Sequence, residues 1–154
     1  MPKIDRKLIA KKKDIVSDLK KIIKIENILY HEDEIRPYET DALSAYKQKP
    51  LLVVFPENTK EVSKVLSYCN QQRIKVVPRG AGTGLSGGAL PMADSILLCL
   101  GKFKKIIEID FKNRCVVAQP GVTNLSITQA VQDKGFYYAP DPSSQIACSI
   151  GGNV

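Results

Sequence analysis

The chain has 154 residues, of which 44% are hydrophobic and 25% charged, and its formal net charge is +7. These values are those of a single globular domain, and no apolar run approaches the roughly 20 residues that a membrane-spanning helix needs. The N-terminus has no apolar signal-peptide core, and its Lys-rich, Asp-containing composition differs from that of an organelle transit peptide. The sequence therefore predicts a soluble, cytoplasmic protein.

The basic charge is concentrated at the N-terminus, where residues 1–24 hold nine Lys or Arg and three Asp or Glu, a balance of +6. Apolar residues recur at helical spacing from Ile4 to Ile22 and predict an amphipathic helix. We interpret this helix as packed on the body of the protein, with docking to a membrane surface or a partner as the alternative. Nucleic-acid binding is not predicted, because the rest of the chain lacks a second basic patch and interleaved aromatic residues.

The cysteines and the single histidine limit the metal and redox chemistry of the chain. No C-x-x-C pair is present, and His31 has no partner in the sequence, so no metal site is predicted. We interpret His31 as an exposed residue without a catalytic role. Widely spaced cysteines in apolar stretches are typical of a reducing compartment, and we expect them to be small core residues. They are Cys69, Cys99, Cys115 and Cys148.

After the N-terminal segment, strand and helix patterns alternate along the chain. Short apolar runs predict strands at 51–55, 74–77 (ending at Pro78) and 95–100, and a hairpin from 106–109 and 115–119. Helices are predicted from Asn58, with Glu61 completing a capping box and Val62, Val65, Leu66 and Cys69 forming the apolar stripe, and over 124–134, ending at Gly135. This order indicates an α+β (mixed α/β) domain with parallel and antiparallel parts.

The densest chemical signal is a glycine-rich loop directly after the strand at 74–77, with five glycines in the nine positions 80–88. Such a run is costly in chain entropy, so the loop must need main chain without side chains. A diphosphate is a suitable ligand, since it needs several N–H donors at close range. Hydroxyl groups and one positive side chain add to the loop. The candidate residues are Arg79, Gly80, Ala81, Gly82, Thr83, Gly84, Leu85, Ser86 and Gly87.

Two familiar phosphate-binding motifs do not fit this loop. Residues 82–87 match G-x-G-x-x-G, but the chain continues into Leu90-Pro91 and a strand rather than the helix that a dinucleotide-binding Rossmann site requires. The Lys and Ser/Thr of a P-loop are also absent after Gly87. The alternative to a phosphate site is a flexible surface turn, because loops are commonly rich in Gly and Ser.

A second cluster of small residues near the end of the chain makes the surface-turn alternative less attractive. Residues 140–144 read Pro-Asp-Pro-Ser-Ser, and residues 148–153 read Cys-Ser-Ile-Gly-Gly-Asn. We interpret the two glycine-rich segments as closing on one cofactor from opposite sides. The alternative is a proline-rich turn before a final strand.

Five segments in order, 36–41, 50–62, 78–89, 140–144 and 149–153, resemble the FAD-binding domain of the vanillyl-alcohol oxidase and p-cresol methylhydroxylase type. Within that superfamily, the chain is most similar to glycolate oxidase D subunits and D-lactate dehydrogenases. The resemblance implies a two-lobed domain with FAD between the lobes and the pyrophosphate on residues 80–86. It also implies a second set of residues that line the flavin or its diphosphate: Pro140, Asp141, Ser144, Ser149, Gly151, Gly152 and Asn153.

The same resemblance implies the chemistry. Proteins of this type oxidise a 2-hydroxy acid to a 2-oxo acid with hydride transfer to the flavin, and the protein positions and polarises the cofactor. Some bind flavin covalently through histidine or cysteine. Neither lies in the glycine-rich loop, so we expect non-covalent FAD, with Cys148 a packing residue.

The chain departs from this type in its length, because such enzymes are much longer. We therefore interpret residues 1–34 as a basic helix with a lead-in and residues 35–154 as the N-terminal part of an FAD-binding domain that is incomplete at its C-terminus. The hydroxy-acid site, and any contact with partner subunits or an electron acceptor, is expected beyond residue 154, and no catalytic residue is assigned here. Residues 1–154 alone are expected to be inactive, to fold poorly and to bind FAD weakly. A non-catalytic nucleotide-binding or regulatory module is the alternative function.

Overall fold

The computed structural model describes residues 4–140 and 142–153. Helices and strands alternate along these residues, which confirms the mixed α/β prediction. The helices are α1 (Arg6–Ala10), α2 (Lys12–Leu19), α3 (Glu32–Ile35), α4 (Thr59–Gln71), α5 (Asn124–Val131) and α6 (Ile150–Asn153). The strands are β1 (Ile28–Leu29), β2 (Leu52–Val54), β3 (Lys75–Arg79), β4 (Ser95–Cys99), β5 (Ile106–Asp110) and β6 (Cys115–Ala118). Single 3-10 turns lie at Ile25–Asn27, Arg36–Tyr38 and Gln132–Lys134.

The main sheet has the strand order β1-β2-β4-β3. β2, β4 and β3 are parallel, with Val53 and Val77 both in register with Leu97, whereas β1 is antiparallel to β2. Every residue of β2 and β4 is buried, as expected for the central strands of a parallel sheet covered on both faces. The carboxyl ends of the three parallel strands therefore meet at one edge, and the glycine-rich loop leaves from this edge.

Each face of the main sheet has its own apolar cluster. On one face, α2 and α4 bury side chains such as Leu19 and Val65 against Leu52 and Ile96. The cluster on the other face combines Ile35, Val53, Val77, Leu97 and Cys99 with half-buried Tyr38 and Phe55. The second cluster lies beneath residues 38–43, the segment that contacts the glycine-rich loop.

The N-terminal segment forms two helices, α1 and α2, rather than the single amphipathic helix predicted. Its apolar side is buried, with Ile15 4% and Leu19 0% exposed, whereas Ile4 is 48% exposed. The segment is also tied to the sheet, because the N–H of Asp5 donates to Asp94 Oδ2 at 2.8 Å. These contacts support packing on the protein body. No helix within the described ranges is long and apolar enough to cross a membrane.

Pro78 lies inside β3, which continues to Arg79, so the prediction that the strand ends at Pro78 is wrong. Pro78 is in register with Leu98 on β4. β3 is an edge strand, and an edge strand tolerates proline because one side of it needs no N–H donor for a neighbour. The extra residues carry Arg79 to the start of the loop.

The predicted start of α4 at Asn58 is confirmed by its hydrogen bonds, although Glu61 accepts the N–H of Glu57 and not that of Asn58 as a capping box requires. Asn58 Oδ1 accepts the N–H of Glu61 at 2.9 Å, and Glu61 Oε2 accepts the N–H of Glu57 at 2.7 Å. The predicted apolar stripe is wrong at Leu66, which is 43% exposed, because the buried side of the helix follows Val65 and Cys69.

A hairpin and α5 form the second part of the structure. β5 and β6 pair as predicted, and Asp110 Oδ1 accepts the N–H of Asn113 at 2.9 Å in the turn. α5 ends at Val131 and continues as a 3-10 turn to Gly135, whose φ is +75°. The predicted final strand of the alternative interpretation is not observed, because residues 150–153 form α6.

Three of the four cysteines are buried, as expected for core residues, but Cys115 is exposed on β6. Cys115 departs from the prediction because it is the first residue of β6, opposite Asp110 next to the exposed turn of the hairpin. Burial raises the pKa of Cys69 to about 11 and that of Cys99 to about 12. Both of these thiols therefore stay protonated near neutral pH, which makes them poor nucleophiles.

Candidate cofactor-binding site

The glycine-rich loop follows the carboxyl end of β3 and returns to β4 without a helix, as the sequence predicts. Two of its glycines, Gly82 and Gly87, have φ values of +75° and +74°, a backbone region that residues with a side chain rarely adopt. The carbonyl oxygen of Gly87 accepts the N–H of Leu90 at 3.1 Å and closes the end of the loop.

The main chain of this loop is left with free donors. Within the described part of the chain, the N–H groups of residues 81–89 have no hydrogen-bond partner, and neither have the hydroxyl groups of Thr83 and Ser86. The residues concerned are exposed or half-buried, so a ligand from solvent can reach them. A run of free N–H groups next to hydroxyl donors is the donor set that a phosphate or diphosphate requires.

The glycines of the loop fall into two groups when the space around each is compared. A Cβ atom at Gly80 would collide with Ser149 Oγ, and one at Gly82 would collide with the guanidinium of Arg79. At Gly84 and Gly88, by contrast, a Cβ atom would meet no described atom within 4 Å. Packing therefore explains the first pair, whereas the second pair faces open space.

The second glycine-rich segment is docked on residues 120–123. The N–H of Ile150 donates to Val122 O at 2.8 Å, and the N–H of Gly151 donates to Pro120 O at 2.9 Å. A Cβ atom at Gly151 would collide with Pro120 Cβ, and it would also lie 3.0 Å from Pro120 Cα and 3.1 Å from the Pro120 carbonyl oxygen, tighter than most real Cβ contacts. Packing against Pro120 thus requires glycine at position 151.

The two segments meet around one cavity of about 360 Å³. A volume at the lower end of the range for ligand pockets suits a diphosphate or another part of a larger cofactor. Arg79 is the only charged side chain among the described residues of its wall. The lining residues are Pro78, Arg79, Gly80, Ala81, Gly82, Thr83, Gly84, Leu85, Ser86, Gly88, Ala89, Leu100, Pro120, Cys148, Ser149, Gly151, Gly152 and Asn153.

The hydroxyl group of Ser149 provides an independent test of whether the cavity fits such a ligand. Ser149 is 6% exposed, and its Oγ atom is buried without a hydrogen-bond partner among the described residues. A buried hydroxyl without a partner is costly, so its presence on the wall indicates that a ligand group supplies the partner. The cavity, the free N–H groups and this hydroxyl together fit the diphosphate of a nucleotide cofactor.

Most of the predicted cofactor residues line this cavity, but several do not. Gly87 closes the turn of the loop instead. The carbonyl oxygen of Pro140 accepts Asn124 Nδ2 at 3.2 Å, and the carbonyl oxygen of Ser144 accepts the N–H of Cys148 at 2.7 Å, so both residues shape the second segment from outside the cavity. Asp141 lies outside the described residues.

Six residues of the cavity wall are not among the predicted candidates. Pro78, Gly88 and Ala89 adjoin the predicted loop, whereas the other three lie elsewhere in the chain. Leu100 follows β4, and Pro120 lies between β6 and α5, where Pro-Gly marks a turn without indicating what it faces. Cys148 is buried, in agreement with its interpretation as a packing residue, and its sulfur accepts Asn153 Nδ2 at 3.5 Å while also lining the cavity. From the sequence, Pro120 is recognisable only as part of a turn and not as a residue of the cavity wall.

The remaining polar candidates lie away from the cavity. His31 is exposed, precedes α3 and has its ring 4.3 Å from the ring of Tyr30. Among residues 4–140 and 142–153, no three His, Cys, Asp or Glu side chains converge as metal ligands would.

Comparison with known proteins identifies the cofactor of the domain that contains this cavity. Residues 50–154 match the family described as FAD binding domain. The chain belongs to this family. FAD, the cofactor predicted from the sequence, is therefore the cofactor of this domain, and the matched range contains both glycine-rich segments.

Two curated relatives and one solved structure illustrate the kinship. The chain is 57% identical over 127 residues to the glycolate oxidase subunit GlcD of Escherichia coli strain K12, covering 82% of this chain and 26% of the relative. It is 37% identical over 124 residues to D-lactate dehydrogenase of Anaerostipes hadrus, covering 79% of this chain and 26% of the relative. The chain thus spans about a quarter of the length of these relatives.

The solved structure is p-cresol methylhydroxylase with substrate bound, at a TM-score of 0.72 and 23% identity, covering 86% of this chain and 26% of that one. At this identity the likeness concerns the fold alone. It confirms the predicted fold of the p-cresol methylhydroxylase type.

Proposed function

We propose that this domain holds the diphosphate of FAD on the free N–H groups of residues 81–86, 88 and 89, with the hydroxyl groups of Thr83, Ser86 and Ser149 as further donors. The observation that carries the proposal is the position of these donors around one cavity, where they have no partner within the described ranges. The residues of the second segment that line the cavity, Ser149 and Gly151 to Asn153, form its opposite wall. Gly87, Pro140 and Ser144 support the two segments from outside.

We further propose that the whole protein is an FAD-dependent oxidoreductase that oxidises a 2-hydroxy acid of the glycolate or D-lactate type to the 2-oxo acid. When bound, FAD supplies the two-electron redox chemistry, accepting a hydride from the hydroxy acid. The residues of this chain bind and orient the cofactor. The support is the identity with relatives named glycolate oxidase subunit and D-lactate dehydrogenase. The substrate site, with any partner subunit or electron acceptor, is proposed to lie outside residues 1–154.

We propose that the flavin is held without a covalent bond. No histidine lines the cavity among the described residues, and Cys148, the thiol on its wall, is only 2% exposed. Acid precipitation of the flavin-loaded protein is expected to leave the flavin in the supernatant. Flavin that stays with the precipitate would contradict the proposal, and Cys148→Ser would then test whether that thiol is the point of attachment.

The direct test of the proposed function uses the protein expressed from its complete reading frame. We expect it to purify with FAD or to take up FAD in saturable fashion. We also expect glycolate or D-lactate to bleach the flavin absorbance under anaerobic conditions, with L-lactate as the stereochemical control. Protein that stays colourless in excess FAD would overturn the cofactor site. Flavin-loaded protein that no hydroxy acid reduces would instead favour a non-catalytic nucleotide-binding module.

We make three further proposals about the chain. The first is that residues 1–34 form a basic helical lead-in and that residues 35–154 form the N-terminal part of the FAD-binding domain. The second is that residues 1–154 alone fold poorly and bind FAD weakly, which is supported by exposed apolar residues on the hairpin such as Ile107, 65% exposed. A cooperative thermal transition of residues 1–154 alone would contradict it.

The third proposal is a cytoplasmic protein whose basic N-terminal surface associates with anionic membranes through charge alone. The support is the +6 balance of residues 1–24 together with the burial of the apolar side of α2. Co-sedimentation with anionic vesicles that disappears at high salt is expected. Equal binding to neutral vesicles would contradict it.

A further inference from the structure

We propose that Arg79 is a positioning residue, which fixes the glycine-rich loop to the segment Tyr38–Leu43 instead of serving as a direct phosphate ligand. The inference rests on the proposed function of the loop. It concerns the one charged side chain on the described wall of the cavity, which the sequence alone suggests as a partner for the phosphates.

The guanidinium of Arg79 is engaged on the side of this segment. Its Nη1 atom donates to the carbonyl oxygen of Thr40 at 2.8 Å, and its Cζ atom lies 5.7 Å from the centre of the Tyr38 ring. The Tyr38 ring in turn meets Phe55 edge-on, with 5.8 Å between ring centres. Both aromatic rings pack against the apolar cluster that contains Val53. Arg79 is thus held by a cation–π contact and a charge-assisted hydrogen bond over a rigid support.

The loop rests directly on this guanidinium. Gly82 has a φ of +75°, and a Cβ atom there would collide with the terminal atoms of Arg79, so the bare main chain of Gly82 packs against the guanidinium. The carbonyl oxygen of Gly82 also accepts the N–H of Ala42 at 3.0 Å. Leu43 Cδ2 lies 4.0 Å from the Cβ position of Gly87, farther along the loop.

These contacts order the loop from behind. Its free N–H groups can bind oxygens at close range only if the main chain is held in one conformation, because ordering a flexible loop on binding costs conformational entropy. Arg79 supplies that order by joining Gly82 to Thr40 and Tyr38. The positive charge of Arg79 still favours an anion nearby. The affinity for FAD, however, depends on the planar guanidinium and its contacts with Thr40 and Tyr38, and not on the charge alone.

A double-mutant cycle between Tyr38 and Arg79 tests the inference in the protein expressed from its complete reading frame. Arg79→Lys keeps the charge but loses the planar guanidinium, and Tyr38→Leu removes the ring beneath it. We expect each single substitution to weaken FAD binding about tenfold, and the double variant to bind FAD no more weakly than either single variant, which corresponds to a coupling of about tenfold in Kd. Tyr38→Phe, which keeps the ring, should bind FAD like the wild type.

Control variants distinguish this positioning role from a general loss of folding stability. Tyr137 is 74% exposed and lies outside the cavity wall, so Tyr137→Leu should combine additively with Arg79→Lys. For Arg79→Lys, the melting temperature without FAD should change little while Kd for FAD changes. If Tyr38→Leu leaves Kd unchanged, or if the two substitutions are additive, Arg79 acts on the phosphates independently and the inference is wrong. If the wild type itself does not bind FAD, the proposed function fails instead.

Discussion

The two glycine-rich segments that face each other across the cavity differ in what their main chain does. In the loop after β3, the N–H groups of residues 81–89 have no partner in the described part of the chain. In the second segment, the N–H groups of residues 150–152 all donate to carbonyl oxygens of the protein. The loop therefore offers donors, whereas the second segment offers a packed wall and the free hydroxyl of Ser149.

This difference teaches that glycine content alone does not identify a ligand contact. Gly151 is explained by its close approach to Pro120, and Gly80 by its approach to Ser149. Gly84 and Gly88 have no such neighbour, so their lack of a side chain points to a ligand. Substitution of a tightly packed glycine should therefore lower the stability of the fold, whereas substitution of a glycine in open space should lower the affinity for the cofactor.

The largest effect is expected at Gly151. A methyl group there would meet the main chain of Pro120, so Gly151→Ala should lower the free energy of unfolding by about 2 kcal/mol, typical of overpacking. Gly152→Ala is the matched control, since its Cβ would make an ordinary 3.5 Å contact with Ser149 Oγ. Urea denaturation of the flavin-free protein measures both. Equal losses at the two positions would show that the packing explanation for Gly151 is wrong.

The next effect should appear in cofactor affinity rather than stability. Gly84→Ala fills space that no described atom occupies, so the melting temperature should hold while Kd for FAD rises roughly tenfold, about 1.4 kcal/mol. Gly101→Ala is the control, because Gly101 also has open space around it but does not line the cavity. An unchanged Kd for Gly84→Ala would remove the loop from the list of cofactor contacts.

Local features of the fold were predictable from the sequence because they depend on neighbouring residues. The start of α4 follows from Asn58 and Glu61, which are three positions apart, and the end of the helical segment 124–134 follows from the left-handed conformation of Gly135. The buried strands β2 and β4 follow from continuous apolar runs. For the site, the resemblance to a known family identified both segments of the cavity wall before their geometry was known.

The rest depends on contacts between residues far apart in sequence. The hydrogen bond from Arg79 to Thr40 spans 39 positions, and no local pattern announces it. The role of Pro120 depends on its contact with Gly151, and the pairing of the two-residue strand β1 with β2 is too short to leave a periodic signal. Pro78 was read as a strand end because its tolerance depends on β3 being an edge strand, which only the sheet order reveals.

A smaller effect should distinguish the hydroxyl groups of the second segment. Ser149→Ala removes a buried hydroxyl that has no described partner, so stability without FAD should stay the same or rise, while Kd for FAD should rise about fivefold, as for the loss of one hydrogen bond. Ser144→Ala is the control, since Ser144 does not line the cavity. If both variants bind FAD like the wild type, the second segment contributes shape alone.

The smallest effect concerns a polar cluster at the carboxyl end of the main sheet rather than the cavity itself. The carboxylate of Glu57, just after β2, accepts Asn27 Nδ2 at 3.0 Å and forms ion pairs with Lys24 at 2.9 Å and Lys102 at 3.1 Å. The side-chain hydrogen bonds from Asn27, Lys24 and Lys102 lower the pKa of Glu57 to about 2. They tie the residues that precede β1 and follow β4 to the same carboxylate.

Because the folded-state pKa of Glu57 lies below the value in the unfolded chain, its contribution to stability is complete above the unfolded value and is lost as pH falls toward about 2. Glu57→Gln should therefore be less stable than the wild type at neutral pH, and the gap should narrow in acid. Urea midpoints at neutral pH and at about pH 3 measure this narrowing. If the urea midpoints of the wild type and the variant fall by the same amount between the two pH values, the ionised carboxylate of Glu57 does not stabilise the fold. The second glycine-rich segment packs on residues 120–123, and within the described ranges it makes no hydrogen bond with Glu57. The loss of stability caused by Gly151→Ala in the FAD-free protein should therefore be the same with and without Glu57→Gln.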